Sequence, residues 1–139
     1  MTLAYLALGS NLGDRARQLE LAAQLLEAHG VKVLRRSSVI ETEPFGVTQQ
    51  PPFLNQVLEV EWPGTARRLL EVAKAIELEA GRRPTFRWGP RELDIDLVLF
   101  GEERIDDPDL KVPHPGLWER EFVWRPLSEL RPDILESRP

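Results

Sequence analysis

Two aspartates alternate with apolar residues in the segment Leu93-Asp94-Ile95-Asp96-Leu97. Successive side chains of a β-strand point to opposite faces, so a strand here would place Asp94 and Asp96 on one face. Two carboxylates about 7 Å apart along a strand repel each other, and burial raises that cost. A divalent cation relieves the repulsion, and oxygen ligands at this spacing suit Mg²⁺ better than a transition metal. A solvated acidic face is the alternative interpretation.

A basic segment lies directly upstream of this aspartate pair. It contains Arg82, Arg83, Arg87 and Arg91 and no acidic residue, with Trp88 among them, although the whole chain carries a net charge of −5. The planar guanidinium group suits a flexible polyphosphate. Phosphate-binding arginines beside metal-binding carboxylates indicate phosphoryl transfer from a magnesium nucleotide. Without the aspartates, a solvated arginine surface would be the preferred interpretation.

Other polar residues are weaker candidates. Phe53 and Asn55 would share one face of a strand, where a ring could stack on a flat heterocycle and an amide could bind its edge. Taken alone, that pair is more typical of a core residue beside a strand-end polar contact. His114 lies in a proline-flanked loop and is a better functional candidate than His29, which a favourable interaction with a helix C-terminus explains. Glu77 lies beside the apolar stripe of a helix and could face solvent or a site.

Length and composition restrict the class of protein. The chain has 139 residues, of which 42% are hydrophobic and 29% charged, and this predicts one globular domain spanning residues 1–139. The lack of cysteine excludes a disulfide scaffold and a thiolate site. The acidic balance argues against a nucleic-acid partner. The longest apolar run, Leu3 to Leu8, has six residues, which excludes a membrane-spanning helix within the sequence and leads us to expect a cytoplasmic protein.

Hydrophobic periodicity predicts the element order β-α-β-β-α-β. Strands are expected at residues 3–8, 31–43, 53–62 and 93–100, with one helix from an N-cap at Asp14 to about His29 and another from Thr65 to Gly81. This order predicts an α+β, ferredoxin-like antiparallel sheet with two helices on one face. Short C-terminal helices are expected near residues 116–120 and 126–130. The Gly9 to Gly13 segment lacks the Gly-Lys-Ser/Thr of a Walker motif, which favours a structural turn.

Five segments, in order along the chain, resemble the 6-hydroxymethyl-7,8-dihydropterin pyrophosphokinase family. They are Gly9-Ser10-Asn11-Leu12, Gln50-Pro51-Pro52-Phe53-Leu54-Asn55, Arg87-Trp88-Gly89-Pro90-Arg91, Leu93-Asp94-Ile95-Asp96 and Val112-Pro113-His114, and the resemblance extends from residue 1 to about 132. Members of this family act in folate biosynthesis. They transfer a pyrophosphoryl group from ATP to the hydroxymethyl group of the pterin and release AMP.

The resemblance implies a role for each matching residue. Asp94 and Asp96 would bind two Mg²⁺ ions together with ATP, and the catalytic set would be Arg82, Arg91, Asp94 and Asp96. The residues implied for ATP are Glu77, Arg87, Trp88, Arg91, His114 and Arg120. Those implied for the pterin are Thr42, Phe45, Phe53, Asn55, Trp88 and Phe122. One departure from the family pattern is Asp109, which stands where an arginine near the nucleotide would be expected.

The expected partners are therefore ATP and 6-hydroxymethyl-7,8-dihydropterin, bound by a monomer with no nucleic-acid or membrane partner. Two alternatives remain open at this point. One is a magnesium-dependent transferase of the same fold that uses a different alcohol. The other is a ferredoxin-like regulatory module that binds a nucleotide without chemistry, against which an aspartate pair beside two aromatic residues argues.

Overall fold

The computed structural model describes residues 1–43, 50–81 and 92–139. The first elements are β1 (Thr2–Ser10), α1 (Arg15–Ala28), β2 (Lys32–Arg36), β3 (Ile40–Thr42), β4 (Phe53–Trp62), α2 (Ala66–Glu79) and β5 (Asp94–Phe100). They are followed by a hairpin of β6 (Ile105–Asp107) and β7 (Leu110–Val112), then α3 (Glu121–Leu130) and a 3₁₀ helix at Pro132–Ser137.

The main sheet is antiparallel and has the strand order β2-β4-β1-β5, with the short β3 paired to β4. The central pair, β1 and β4, stays in register from Thr2 opposite Trp62 to Ser10 opposite Leu54. This order, with α1 and α2 as the crossover helices, is the predicted ferredoxin-like arrangement.

Both crossover helices begin and end where the sequence indicates. The Asp14 side chain caps α1 by accepting a hydrogen bond from the Arg17 backbone N–H (3.1 Å), and Thr65 caps α2 through Arg68 (3.2 Å). The buried stripes of both helices pack on one face of the sheet. The helix-side core so formed includes Leu6, Leu8, Leu19, Leu26, Leu58, Leu69, Ile76 and Ile95.

The opposite face of the sheet is covered by α3 and the 3₁₀ helix. The α3-side core contains Tyr5, Ala7, Val57, Val98, Leu117, Val123, Leu127, Leu130 and Ile134. C-terminal helices were expected from the sequence, but their location on this second face was not predicted. The sheet is therefore buried on both sides, and a site on the α3 side has walls from the sheet and from α3.

The predicted strand at 31–43 is wrong in one respect, because the segment divides into β2 and β3. Ser37 lies at the break, and its hydroxyl accepts a hydrogen bond from the Val57 backbone N–H (2.8 Å). The Gln56 side chain donates to the Ser37 carbonyl (2.9 Å). These contacts with β4 replace the regular ladder, and β3 restarts the pairing at Ile40 opposite Asn55.

The C-terminal region also differs from its prediction. Residues 115–119 form turns rather than a helix, and the second helix begins at Glu121 instead of residue 126. Pro126 lies inside α3, where it removes one helical hydrogen bond, and it is buried. The β6–β7 hairpin was not predicted. No helix in the described part of the chain is long and apolar enough to cross a bilayer.

Candidate active site

The aspartate pair lies on β5, which forms one edge of the main sheet in residues 1–43, 50–81 and 92–139. Asp94 pairs with Gly9 and Asp96 with Ala7, and directly opposed residues of a sheet point to the same face. Ala7 belongs to the α3-side core, whereas Ile95 is buried in the helix-side core. The predicted alternation is thus confirmed, and both carboxylates face the α3 side.

Burial gives the Asp96 carboxyl an unusual proton affinity. Removal from water, followed by the negative charge of Asp94, raises the pKa of Asp96 to about 6, while Lys74 and Arg120 act in the opposite direction. A further positive charge beside this pair, such as a cation, would therefore stabilise the charged form of Asp96. In the part of the chain that the structure describes, no group of three or more His, Cys, Asp or Glu side chains could hold a metal ion. Any protein ligation there by the described residues would come from two carboxylates.

Gly9 lies between two ends of the site. The carboxylate end contains Asp94 and Asp96, and the amide end contains Asn55. On β1, Gly9 pairs with Asp94 on one side and with Asn55 of β4 on the other. A Cβ atom at Gly9 would lie 3.3 Å from Asn55 Oδ1 and 3.5 Å from Phe53 Cδ1. The glycine therefore keeps the surface open between Asn55 and Asp94.

The amide end is ordered by a contact between two strands. Asn55 Nδ2 donates to Thr42 Oγ1 at 2.7 Å, while Thr42 pairs with Phe53 at the last position of the β3–β4 ladder. Asn55 is 4% exposed, and its Oδ1 lies beside Gly9 as an acceptor. The structure thus brings together the predicted pterin residues Thr42, Phe53 and Asn55.

Glu77 lies behind the aspartates rather than among them. It projects from α2, is 1% exposed, and its Oε2 accepts a hydrogen bond from the Ile95 backbone N–H at 2.8 Å. Because β5 is an edge strand of the sheet formed by the described residues, none of their other strands lies where it could bind that N–H. Lys74 Nζ lies 3.5 Å from the other carboxylate oxygen. The buried Glu77 carboxylate therefore supports the backbone of the residue between Asp94 and Asp96.

His114 follows the β6–β7 hairpin and is held at both its backbone and its ring. Its backbone N–H donates to the Val98 carbonyl (3.0 Å), and its Nδ1 accepts from the Gly116 backbone N–H (3.0 Å). Burial and then the charge of Arg120 lower the pKa of His114, against an opposing effect of Asp94. The ring is accordingly neutral at pH 7, with its proton on Nε2, which makes Nε2 a hydrogen-bond donor.

Arg120 and Phe122 lie at the start of α3. The Arg120 guanidinium crosses Gly116 so closely that a Cβ atom there would be 2.8 Å from its Nε. Phe122 is partly buried and packs on the α3-side core. Because Arg120 and Asp94 both affect the pKa of His114, these three groups occupy one electrostatic neighbourhood.

Five of the predicted site residues, Phe45, Arg82, Arg87, Trp88 and Arg91, lie outside the described residues, as does Arg83. Two residues of the neighbourhood were missed by sequence reasoning. Gly9 was assigned to a turn, but it belongs to β1. Lys74 was not considered, although its i,i+3 spacing from Glu77 was a signal for an ion pair.

Asp109, the departure from the family pattern, has its own partner. It forms two hydrogen bonds with the Arg67 guanidinium, at 2.9 and 3.1 Å, and Asp107 accepts a third at 2.9 Å. Arg67 lies in the first turn of α2. In this chain Asp109 therefore ties the β6–β7 hairpin to α2.

Comparison with known proteins identifies the family of this chain. The family model for 7,8-dihydro-6-hydroxymethylpterin-pyrophosphokinase matches residues 5–132. A 2-amino-4-hydroxy-6-hydroxymethyldihydropteridine pyrophosphokinase of Bacillus subtilis is 46% identical over 129 residues, covering 92% of this chain and 77% of the relative. One of the same name from Methylorubrum extorquens is 43% identical over 136 residues, covering 97% and 86%.

A solved structure shares the fold. It is described as a crystal structure analysis of HPPK-DHPS in complex with substrates, and it superposes with a TM-score of 0.71 over 95% of this chain and 40% of that chain, at 14% identity. The family match covers most of the sequence, and the Bacillus relative is matched over most of its length. The chain therefore belongs to the 7,8-dihydro-6-hydroxymethylpterin-pyrophosphokinase family.

Proposed function

We propose that this chain transfers the pyrophosphoryl group of ATP to the hydroxymethyl oxygen of 6-hydroxymethyl-7,8-dihydropterin and releases AMP. Membership in the family indicates a pyrophosphokinase that acts on hydroxymethyldihydropterin in folate synthesis. The assignment of individual residues below is our proposal, and it is supported by their positions in the fold.

The arrangement around Gly9 carries the proposal. Asn55, Gly9 and Asp94 occupy neighbouring positions on three adjacent strands. The backbones of Asn55 and Asp94 are therefore about 10 Å apart, at two strand spacings of roughly 4.8 Å each. A flat heterocycle beside Asn55 would extend its substituent across the bare surface of Gly9 toward Asp94. This places the acceptor hydroxyl between the two ends of the site.

The pterin would bind at the amide end. Phe53 on β4 and Phe122 on α3 would stack on opposite faces of its ring, because the sheet and α3 form facing walls. Asn55 Oδ1 would accept a hydrogen bond from the ring edge, since its Nδ2 is already bonded to Thr42. Phe45 and Trp88, which lie outside the described residues, are retained as pterin residues from the resemblance.

The polyphosphate would bind at the carboxylate end. Asp94 and Asp96 fit Mg²⁺ as a pair of oxygen ligands, because the raised pKa of Asp96 marks two carboxylates that a cation would stabilise. With two protein ligands, the remaining positions around two such ions would be filled by phosphate oxygens and water. When bound, Mg²⁺ would neutralise charge on the phosphates and on the attacking and leaving oxygens.

The residues near α3 would hold the nucleotide. Arg120 offers a guanidinium to phosphate, and the neutral His114 offers an Nε2 hydrogen-bond donor. Glu77 was predicted to bind ATP directly. Its bond to the Ile95 backbone supports a different role, in which it stiffens the strand that carries Asp94 and Asp96. Arg82, Arg87 and Arg91 are retained as triphosphate ligands from the resemblance.

In the proposed reaction the hydroxymethyl group gives up its proton to water, and its oxygen forms a bond with the β-phosphorus. The bond between the β-phosphorus and the oxygen bridging to the α-phosphorus breaks, and AMP leaves with that oxygen. The protein contributes mainly by positioning the two substrates and by surrounding the phosphates with positive charge.

The product identifies the reaction. Incubation with ATP, Mg²⁺ and 6-hydroxymethyl-7,8-dihydropterin should yield AMP and the pterin diphosphate, detected by mass spectrometry. A control with 6-methyl-7,8-dihydropterin, which lacks the hydroxyl, should give no AMP. Formation of ADP and a pterin monophosphate would contradict the proposal, and AMP production with the control pterin would show hydrolysis instead.

The proposal treats residues 1–139 as one pyrophosphokinase domain, since both cores are built on one sheet. The monomeric state, the cytoplasmic location and the lack of a nucleic-acid or membrane partner stay predictions from the sequence.

A further inference from the structure

A single nitrogen atom connects three separate segments on the helix side of the sheet. Arg15 Nη1, from the first turn of α1, donates to Glu41 Oε2 on β3 at 2.9 Å and to the Pro52 carbonyl at 2.9 Å. The Nη1 atom carries two hydrogens, so both bonds form together. Glu41 immediately precedes Thr42, and Pro52 immediately precedes Phe53.

The two anchored segments carry the proposed pterin contacts on the other face. Glu41 pairs with Leu54, which packs on the helix-side core, so the Glu41 side chain points toward α1. Its neighbour Thr42 points the opposite way and accepts the hydrogen bond from Asn55. Arg15 therefore binds the residues that precede Thr42 and Phe53 and does not itself line the pocket.

The β3 strand needs such an anchor. It has three residues, and in the described part of the chain its strand pairing is with β4 alone. Asn11 adds a second hold on the segment before β4, because its Nδ2 donates to Gln50 Oε1 (2.8 Å) and to the Pro51 carbonyl (3.0 Å). The α1 side thus fixes the segment that leads into β4 at Gln50, Pro51 and Pro52.

We propose that Arg15 is a positioning residue for the pterin pocket: by holding β3 against the start of β4, it sets Thr42, Phe53 and Asn55 in the geometry that binds the ring. The Arg15 and Glu41 side chains are 29% and 54% exposed. A pair this exposed contributes little to global stability. The pair instead affects the local geometry of the pocket, and through it the binding of the pterin. This inference rests on the proposed function.

Steady-state kinetics of Arg15→Ala test the inference. The KM for the pterin should rise about three- to tenfold, which is the effect of losing one or two hydrogen bonds. The KM for ATP and the melting temperature should stay near the wild-type values. Arg15→Lys should recover part of the pterin affinity, since its shorter side chain keeps the charge and donors.

Arg17→Ala is the matched control, because it removes the same charge from the same helical turn and leaves the Arg15 contacts in place. It should leave both KM values unchanged. An unchanged pterin KM in Arg15→Ala, or equal increases for both substrates, would overturn the inference.

Hydrogen exchange of the ligand-free protein separates this inference from the proposed reaction. Backbone amides at 40–42 and 53–55 should exchange faster in Arg15→Ala, whereas those in the middle of β1 should not change. Unchanged exchange at these amides would refute the anchoring role, whatever the enzyme does. Failure of the wild-type protein to form AMP would instead count against the proposed function.

Discussion

Tyr5 and Glu59 form a buried hydrogen bond across the β1–β4 pair, with the Tyr5 hydroxyl donating to Glu59 Oε2 at 2.5 Å. The same carboxylate receives Arg35 Nε at 2.9 Å and Arg35 Nη2 at 2.7 Å, and Arg35 Nη2 also donates to the Leu130 carbonyl at 2.8 Å. This network ties the sheet to the C-terminal end of α3. The helix that carries Phe122 is thus held at its far end by Arg35, which Glu59 binds.

Glu59→Gln should destabilise the protein by about 1–2 kcal/mol at pH 7, because hydrogen bonds to a charged group are lost while the shape is kept. Chemical denaturation followed by circular dichroism measures this. Glu61→Gln is the matched control, since it removes the same charge from the same strand. The partner of Glu61 is Lys32, whose side chain lies 4.0 Å away and is 64% exposed. That control should change the free energy of unfolding by less than about 0.5 kcal/mol.

The effect of Glu59 should depend on pH. Hydrogen bonds from Arg35 hold the pKa of Glu59 below its usual value of 4.5. A carboxyl group whose folded-state pKa is depressed stabilises the protein above the unfolded pKa and loses that effect as pH falls through the folded one. The difference between wild type and Glu59→Gln should therefore be constant above about pH 5 and shrink in more acidic solution. A difference that grows on acidification would contradict the charged network.

Gly9→Ala tests the open surface between the two ends of the site. The added methyl group would lie 3.3 Å from Asn55 Oδ1, so the Asn55 side chain would have to shift by a few tenths of an ångström, and it would be in van der Waals contact with Phe53 at 3.5 Å. The KM for the pterin should rise, with a change in stability below about 1.5 kcal/mol, as expected for a small packing change. Steady-state kinetics together with thermal unfolding check this, and an unchanged pterin KM would mean that the ring binds elsewhere.

Local patterns were sufficient to predict much of this fold and part of the site. The alternation of Asp94 and Asp96 follows from the period of a strand, and the predicted cap at Asp14 follows from a side chain that bonds a nearby backbone group. Interactions of this kind span a few residues. They can therefore be predicted from the sequence alone.

Other features depend on partners far along the chain. The break at Ser37 is made by Val57, twenty residues later, and the direction of Glu77 is decided by the Ile95 amide, eighteen residues later. The position of α3 over the second face of the sheet depends on the combined contacts of the α3-side core. The pterin roles of Phe53 and Asn55 came from family resemblance, because an aromatic residue and an amide on one strand are common in ordinary cores.

Phe122→Ala should weaken pterin binding by ~1–3 kcal/mol, by analogy with the stacking of bases on aromatic side chains. ATP binding, which we assign to arginines and metal, should change little. Titration with 6-hydroxymethylpterin in the presence of Mg²⁺ and α,β-methylene-ATP measures the affinity for the pterin. Titration with the nucleotide alone measures the affinity for ATP. Phe122→Leu separates stacking from packing, because it keeps apolar volume against the α3-side core but lacks a ring face. Equal losses for both ligands in both variants would make Phe122 a structural residue.

Asp96→Asn discriminates most sharply between a metal site and a solvated acidic face. The substitution keeps the size of the side chain and removes one of two neighbouring negative charges. The protein should fold as before, or be slightly more stable at pH 7 without metal, because burial and Asp94 both disfavour the charged Asp96 carboxylate. A solvated face would leave turnover within a few-fold of wild type.

If Asp94 and Asp96 hold Mg²⁺, the loss of one ligand weakens an interaction worth several kcal/mol in the transition state. At ~1.36 kcal/mol for each tenfold change, a loss of ~4 kcal/mol is roughly a thousandfold, and we expect turnover to fall at least about a hundredfold. Asp106→Asn is the control, since Asp106 is 89% exposed on the β6–β7 hairpin, and it should retain wild-type turnover. ATP binding should survive in part in Asp96→Asn, because Arg120 and the arginines of 82–91 remain. Near-normal turnover of Asp96→Asn at saturating Mg²⁺ would remove the metal role from the pair, because a folded protein that lacks a required ligand cannot keep its rate.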